Sequence, residues 1–251
     1  GDTPLIIACH INDINLVRLL LDNGAKVNTA NNIGVTPLII ACEHCGIEVV
    51  RLLLDKNVDV NLADNKGMTP LCMAAGHNKI EVMRLLLDKN VDINLADNNG
   101  YTSLIIASGY GNIETVRLLL DKNVDINLAD NKGYTPLYTA CAAAHINVVK
   151  LLIDKGADVN REAKYGQTPL HAACAKIDVK IVQVLLDSGA NVNQLTEDGS
   201  TPISIVLNLK MLFEKHPNYH EMIFLLLKYG ADKRYCDDKN FNLDTSNLLQ
   251  I

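Results

Sequence analysis

The chain has 251 residues, of which 48% are apolar and 4% aromatic, and it carries a formal net charge of −6. An acidic balance argues against a general nucleic-acid surface, which needs a basic stripe to displace counterions. No run approaches the roughly 18 apolar residues of a membrane span, so a membrane partner is not expected either.

From its first residues the chain repeats itself. The pattern that opens at Thr3 opens again at Thr36, Thr69, Thr102, Thr135, Thr168 and Thr201, a step of 33 residues each time. A fixed period of this length means a stack of small units, one elongated body rather than a folded-back core. Within a unit, Thr69 caps a helix and Pro70 occupies its first turn, where a missing N–H costs nothing. Leu71, Ala74 and Ala75 give this first helix a small-residue face. After a short turn, Ile80, Val82, Met83, Leu85, Leu86 and Leu87 predict a second, more apolar helix. The position held by Gly24, Asn57, Asn90, Asn123, Gly156, Gly189 and Gly230 tolerates a left-handed backbone, and it reads as the helix stop. Asp97-Asn98-Asn99-Gly100 and its relatives then predict a tight β-hairpin finger between units. Gly133 belongs to such a turn and is expected to need a positive φ.

The ends depart from the pattern. The chain starts inside a unit with Leu5, Ile6 and Ile7 and no polar cap, so further repeats are expected before Gly1. In the seventh unit Leu225-Leu226-Leu227 falls eight residues late relative to Leu185, placing an insertion within 209–221. Lys233 then replaces the Val/Ile phase of Val27, Val60, Ile93, Ile126, Val159 and Val192. Residues 233–251, with Phe213, Phe224 and Phe241, are expected to form a closing cap.

Thr168-Pro169-Leu170-His171-Ala172-Ala173 resembles the ankyrin signature in full, and Gly156-Ala157-Asp158-Val159-Asn160 resembles the loop that leads away from its second helix. The likeness spans practically the whole chain. It implies an all-α ankyrin-repeat α-solenoid of helix-turn-helix units with short β-hairpin fingers, covering 1–251 as a single domain. The signature His is replaced by Ile6, Ile39, Cys72, Ile105, Tyr138 and Ser204, which removes most of its usual bonds to neighbouring turns, and Ser103 replaces the Pro of the fourth copy.

Candidate chemistry breaks or follows this period. Of the seven cysteines, Cys9, Cys42, Cys141 and Cys174 share a phase with Ala75 and Ser108. They read as small buried residues, too far apart for disulfides and in keeping with a reducing compartment. Cys42 and Cys45 resemble a redox pair without the βαβ setting such a pair needs, so packing and a turn are the simpler reading. His216 and His220 in the insertion stand at metal-sharing spacing, but Pro217 disfavours helix at His216 and suits the first position of the second helix. Arg18, Arg51, Arg84, Arg117 and Lys150 line the second helices, with Glu48, Glu81 and Glu114 three residues before three of them, a self-neutralising surface. Asn28, Asn61, Asn94, Asn127, Asn160 and Asn193 are expected to bond their own turns; the family resemblance also implies asparagine hydroxylation there. No catalytic, cofactor or metal site is expected.

The resemblance implies that partners meet the finger tips and the exposed face of the first helices, on the concave side. In this chain those phases hold Met68 and His77, then Asn98, Asn99, Tyr101 and Tyr110, then Asn131, Lys132, Tyr134 and Tyr138, and finally Tyr165. All eight tyrosines lie after residue 100. Tyr buries a large area at little entropy cost and keeps a polar tip, so these rings either anchor a partner or fill grooves between fingers. The expectation is a monomeric, cytoplasmic, non-enzymatic scaffold that binds another protein. The alternative is a targeting segment of a larger enzyme or host-directed effector whose active domain lies elsewhere.

Overall fold

Most repeats begin where a threonine hydroxyl captures the amide three residues further on. The computed structural model describes residues 1–44, 46–213 and 216–234. In it Thr3, Thr36, Thr69, Thr102 and Thr135 accept that amide at 3.1–3.2 Å, a contact whose loss costs about 1 kcal/mol per helix. The helices they start are short, and each lies against a second helix of the same repeat.

The chain divides into two compact units, Gly1–Asn131 and Lys132–Ile251. In the first, α1 (Pro4–His10) pairs with α2 (Ile14–Asp22), α3 (Pro37–His44) with α4 (Ile47–Leu54), α5 (Pro70–Gly76) with α6 (Ile80–Leu87), and α7 (Ser103–Tyr110) with α8 (Ile113–Leu120). First helices also stack on first helices, α1 on α3, α3 on α5 and α5 on α7. Leu38, Ala41, Ala74, Leu104 and Ala107 are fully buried along that seam. The alanines let the short helices approach closely, and each buried leucine contributes about 1.5–3 kcal/mol of hydrophobic stabilisation. In the second unit α9 (Pro136–Ala142) pairs with α10 (Ile146–Asp154), α11 (Pro169–Ala175) with α12 (Val179–Asp187), and α13 (Pro202–Asn208) with α15 (Pro217–Lys228), the short α14 (Lys210–Phe213) lying between the last two. Pro217 does begin α15, and His216 stands outside it as the N-cap, its Nδ1 accepting from the Asn218 amide at 3.3 Å. The two imidazoles of the insertion therefore do not share one helical face. Most of the expected closing cap, including Phe241, lies outside the described residues, as does Cys45; Phe224 is partly exposed.

The fingers are tight turns rather than ladders. Asp64 N–H donates to the Met68 carbonyl at 3.1 Å, while the Asp64 carboxylate accepts the Lys66 and Met68 amides at 2.8 Å. Asp97 holds Asn99 and Tyr101 the same way, and among the described residues the one isolated bridge is Ala96 with Thr102. Gly133 has φ +80°, and a Cβ built on it would lie 2.9 Å from the Ala163 Cα, so the finger glycine answers both to the turn and to the next finger's backbone.

Two sequence expectations need correction. Six of the seven helix-stop positions have positive φ, but Asn90 does not. There the Val91 amide turns back to the Lys89 carbonyl at 2.8 Å, so the third repeat leaves its helix by a tighter turn. Five of the loop asparagines, moreover, reach past their own turns. Asn28, Asn61 and Asn94 accept the amides of Asp59, Asp92 and Asp125 in the following repeat at 2.8–3.0 Å, as Asn160 does for Asn191 and Asn193 for Asp232. Own-turn bonding falls instead to the preceding residue: Asp59 accepts from the Asn61 amide at 2.9 Å and Asp92 from Asn94 at 3.1 Å. The asparagine amide reaches further because its own backbone N–H is already satisfied.

Candidate protein-binding surface

In the first unit the finger asparagines are committed to stacking. Asn98 donates its side-chain amide to the Asn65 carbonyl at 2.9 Å, and Asn131 donates to Asn98 at 2.9 Å. Backbone bonds run in parallel, Asn98 N–H to Lys66 and Asn131 N–H to Asn99, at 2.8 and 2.9 Å. Asn99 keeps an exposed side chain, while Met68 and Tyr101 are half-buried. Tyr101 gives its backbone to the finger, its carbonyl accepting from Asp97 at 3.0 Å. His77 is exposed at the end of α5, its Nε2 3.8 Å from a Glu43 carboxylate oxygen that also lies 3.4 Å from His44 Nε2. Tyr110 projects further, with 69% of its surface exposed.

The second unit gathers its predicted residues more closely. The rings of Tyr134 and Tyr138 stack with centroids 4.3 Å apart and planes at 11°. Both hydroxyls point at one acceptor, the Gln167 side-chain carbonyl, at 3.4 and 3.1 Å. The signature histidine position of this repeat thus holds a tyrosine that hydrogen-bonds a neighbouring finger residue. Lys132 is exposed and its carbonyl accepts from Lys164 N–H at 2.7 Å. Tyr165 is 56% exposed, and the Lys164 ammonium sits 5.3 Å from its ring centroid.

Tyr165 also holds an uncommon backbone, φ 67°. Its finger carries Ala163 where the earlier ones carry Asp64 and Asp97, so no carboxylate is present to wrap the tip amides. The turn winds into the left-handed region instead, which costs a residue with a Cβ about 1–2 kcal/mol. Beside this ring opens a cavity of about 610 Å3 lined by Tyr165, Gln167, Thr196, Glu197, Asp198, Ser200 and Ile205. Glu197 and Asp198 were not among the residues singled out from the sequence. The signal was present: at the two positions before the finger glycine the chain reads Asn-Ile, Asn-Lys, Asn-Asn, Asn-Lys, then Lys-Tyr and Glu-Asp. Asp198 accepts from the Thr196 hydroxyl and, at 3.1 Å, from the Ser200 amide, and these bonds hold its carboxyl below the usual carboxylate range.

His171 and the buried cysteines serve packing. His171 alone retains the signature imidazole; its Nδ1 accepts the Thr168 amide at 3.1 Å, which leaves the proton of the neutral ring on Nε2. Burial depresses its pKa, with the Ser200 and Gln194 carbonyls opposing that shift. Cys9, Cys42, Cys141 and Cys174 are buried as expected, and Cys72 lies buried with its thiol 3.8 Å from the Leu95 carbonyl. Burial pushes the Cys72, Cys141 and Cys174 thiols above their ordinary range, the opposite of what a nucleophile requires. Among the described residues no group of three or more His, Cys, Asp and Glu side chains is placed to hold a metal ion, and no helix is long and apolar enough to cross a membrane.

A stack of capped helix pairs joined by projecting turns is the class of a helical repeat protein. A family model described as ankyrin repeats matches residues 1–64, 58–130 and 123–196, and the chain belongs to the ankyrin repeat family. It is similar to the ankyrin repeat domain of human ASB11, with 25% identity and a TM-score of 0.78 over 92% of this chain and 99% of that one. It is also similar to the ankyrin repeat domain of Bcl-3, described as a unique member of the IkappaB protein family, with 31% identity and a TM-score of 0.71 over 82% of this chain and 94% of that one. No curated protein sequence matches the chain. Ankyrin repeat domains are in general protein-interaction modules and typically non-catalytic.

Proposed function

We propose that this chain is a non-enzymatic scaffold that binds a partner protein through its finger tips and the exposed face of its first helices. The observation that carries the reading is the Tyr134–Tyr138 stack on Gln167 in the second unit. Two adjacent rings with their polar ends already oriented form a rigid, half-exposed platform, so little side-chain entropy is lost when a partner covers it. Tyr110 offers the first unit a second anchor of the same kind. The buried, reduced cysteines support an intracellular setting, and a monomer suffices for this role.

The test compares proteins captured from a lysate by the wild-type chain and by the Tyr134→Ala/Tyr138→Ala variant. Removing the stack should cost the fold no more than about 0.5–1.5 kcal/mol beyond the lost ring area, so circular dichroism should still report a folded helical chain. Loss of specific captured proteins with the fold retained supports the reading. An unchanged set of captured proteins refutes it.

A further inference from the structure

In fingers that serve stacking, the first tip residue is an asparagine that bonds the preceding finger, as Asn65, Asn98 and Asn131 do. The last two fingers keep the backbone link, Lys164 N–H to the Lys132 carbonyl and Glu197 N–H to the Tyr165 carbonyl at 2.7 and 2.9 Å. Their side chains have left the ladder. Lys164 and Glu197 stand where the ladder asparagines stand in the earlier fingers, and beside Lys164 the Tyr165 backbone is one that Gly or Asn would adopt with less strain.

What these side chains form instead is an open groove with an exposed aromatic wall, Tyr165, and a wall of two carboxylates, Glu197 and Asp198. Resting on the proposed scaffold function, we infer that this groove receives an arginine side chain from the partner. A planar guanidinium can stack on the tyrosine ring while its fork meets a carboxylate, a combination that an ammonium matches only as a point charge. Lys164 marks the ring as attractive to cations, since its own ammonium already sits 5.3 Å from the centroid. The incoming guanidinium takes the free face or displaces that lysine into solvent. Glu197 supplies the movable carboxylate, and Asp198, pinned by Thr196 and Ser200, supplies a fixed negative charge.

The experiment selects a random peptide library displayed on phage against the immobilised full chain, followed by binding measurements with a synthetic peptide of the enriched sequence. Arginine should dominate one enriched position, and replacing it by Gln should weaken binding by about tenfold or more, replacement by Lys less. Glu197→Gln/Asp198→Asn should weaken binding by about tenfold. Tyr165→Asn should do the same without lowering the melting midpoint, because Asn suits the left-handed backbone. Enriched sequences without a cation that depend on Tyr134 and Tyr138 would overturn this inference and leave the scaffold reading standing. Sequences insensitive to every one of these substitutions would count against both, and a failure to enrich any sequence overturns the arginine site.

Discussion

Substituting alanine at two finger glycines of the second unit separates backbone strain from close approach. Gly133 and Gly199 have nearly the same φ, +80° and +78°, so the left-handed penalty of about 1–2 kcal/mol applies to both. Their surroundings differ. A Cβ on Gly133 would lie 2.9 Å from the Ala163 Cα and 3.1 Å from the Lys164 N, while one on Gly199 meets nothing within 4 Å. Relief at Gly133 requires moving the next finger's backbone, an overpacking cost of about 1–3 kcal/mol. The Lys164–Lys132 link at 2.7 Å is also at risk, worth about 0.5–1.5 kcal/mol. Gly133→Ala should therefore cost about 2.5–6.5 kcal/mol and Gly199→Ala about 1–2 kcal/mol. Urea unfolding followed by far-ultraviolet circular dichroism measures both, and at about 2–4 °C per kcal/mol the melting midpoints should differ by roughly 3–18 °C. Equal losses would refute the close-approach account, and a harmless Gly199→Ala would refute the strain account.

Three further outcomes follow from the same geometry. Ala144 is exposed at φ 61° between α9 and α10, so Ala144→Gly should stabilise the chain by about 0.5–1 kcal/mol, seen as a higher melting midpoint. The buried Ser108 hydroxyl has no hydrogen-bond partner, and Ser108→Ala, matching Ala75 one repeat earlier, should raise stability by about 1 kcal/mol in urea unfolding. The Cys141 and Cys174 thiols are raised above their ordinary 9.0 by burial, so the unfolded chain loses protons first as pH rises. Stability is then fully present below pH 9.0 and falls above it, by up to about 1.4 kcal/mol per pH unit for each thiol; Cys141→Ala/Cys174→Ala should flatten the alkaline limb of a pH–stability profile.

The fold was legible because its signals repeat. A threonine cap, a leucine, paired alanines and an apolar second helix recur at one period, so each copy checks the others. What was not legible was where polar side chains reach. Asn61 looks from sequence like a turn residue, and in a single turn it would bond its own backbone. Stacking brings the Asp92 amide within 2.8 Å, and Asp59 already serves the local N–H, so the longer-range bond wins. The left-handed Tyr165 was hidden for a related reason: it depends on the absence of a carboxylate at Ala163, two residues away. The tyrosine candidates were visible as departures from the period. Glu197 and Asp198 were equally out of phase, but acidic residues at a finger tip look like ordinary solvated charge until the cavity beside Tyr165 is seen.

The asparagine ladders also bear on where a partner can bind. A side chain whose amide and carbonyl are both engaged by neighbouring repeats loses those bonds if it turns to a partner, about 0.5–1.5 kcal/mol for each one broken. Asn98 and Asn131, sequence candidates for partner contact, donate their amides within the first unit. Under the proposed function they hold the tips at fixed spacing. The Tyr134 and Tyr138 side chains bond Gln167 through their hydroxyls alone and leave half-exposed ring faces to a partner, while Tyr110 and Tyr165 are more exposed still. Under the proposed function, binding energy concentrates where the repeat is broken, because the side chains at the unbroken positions already hold the repeats together.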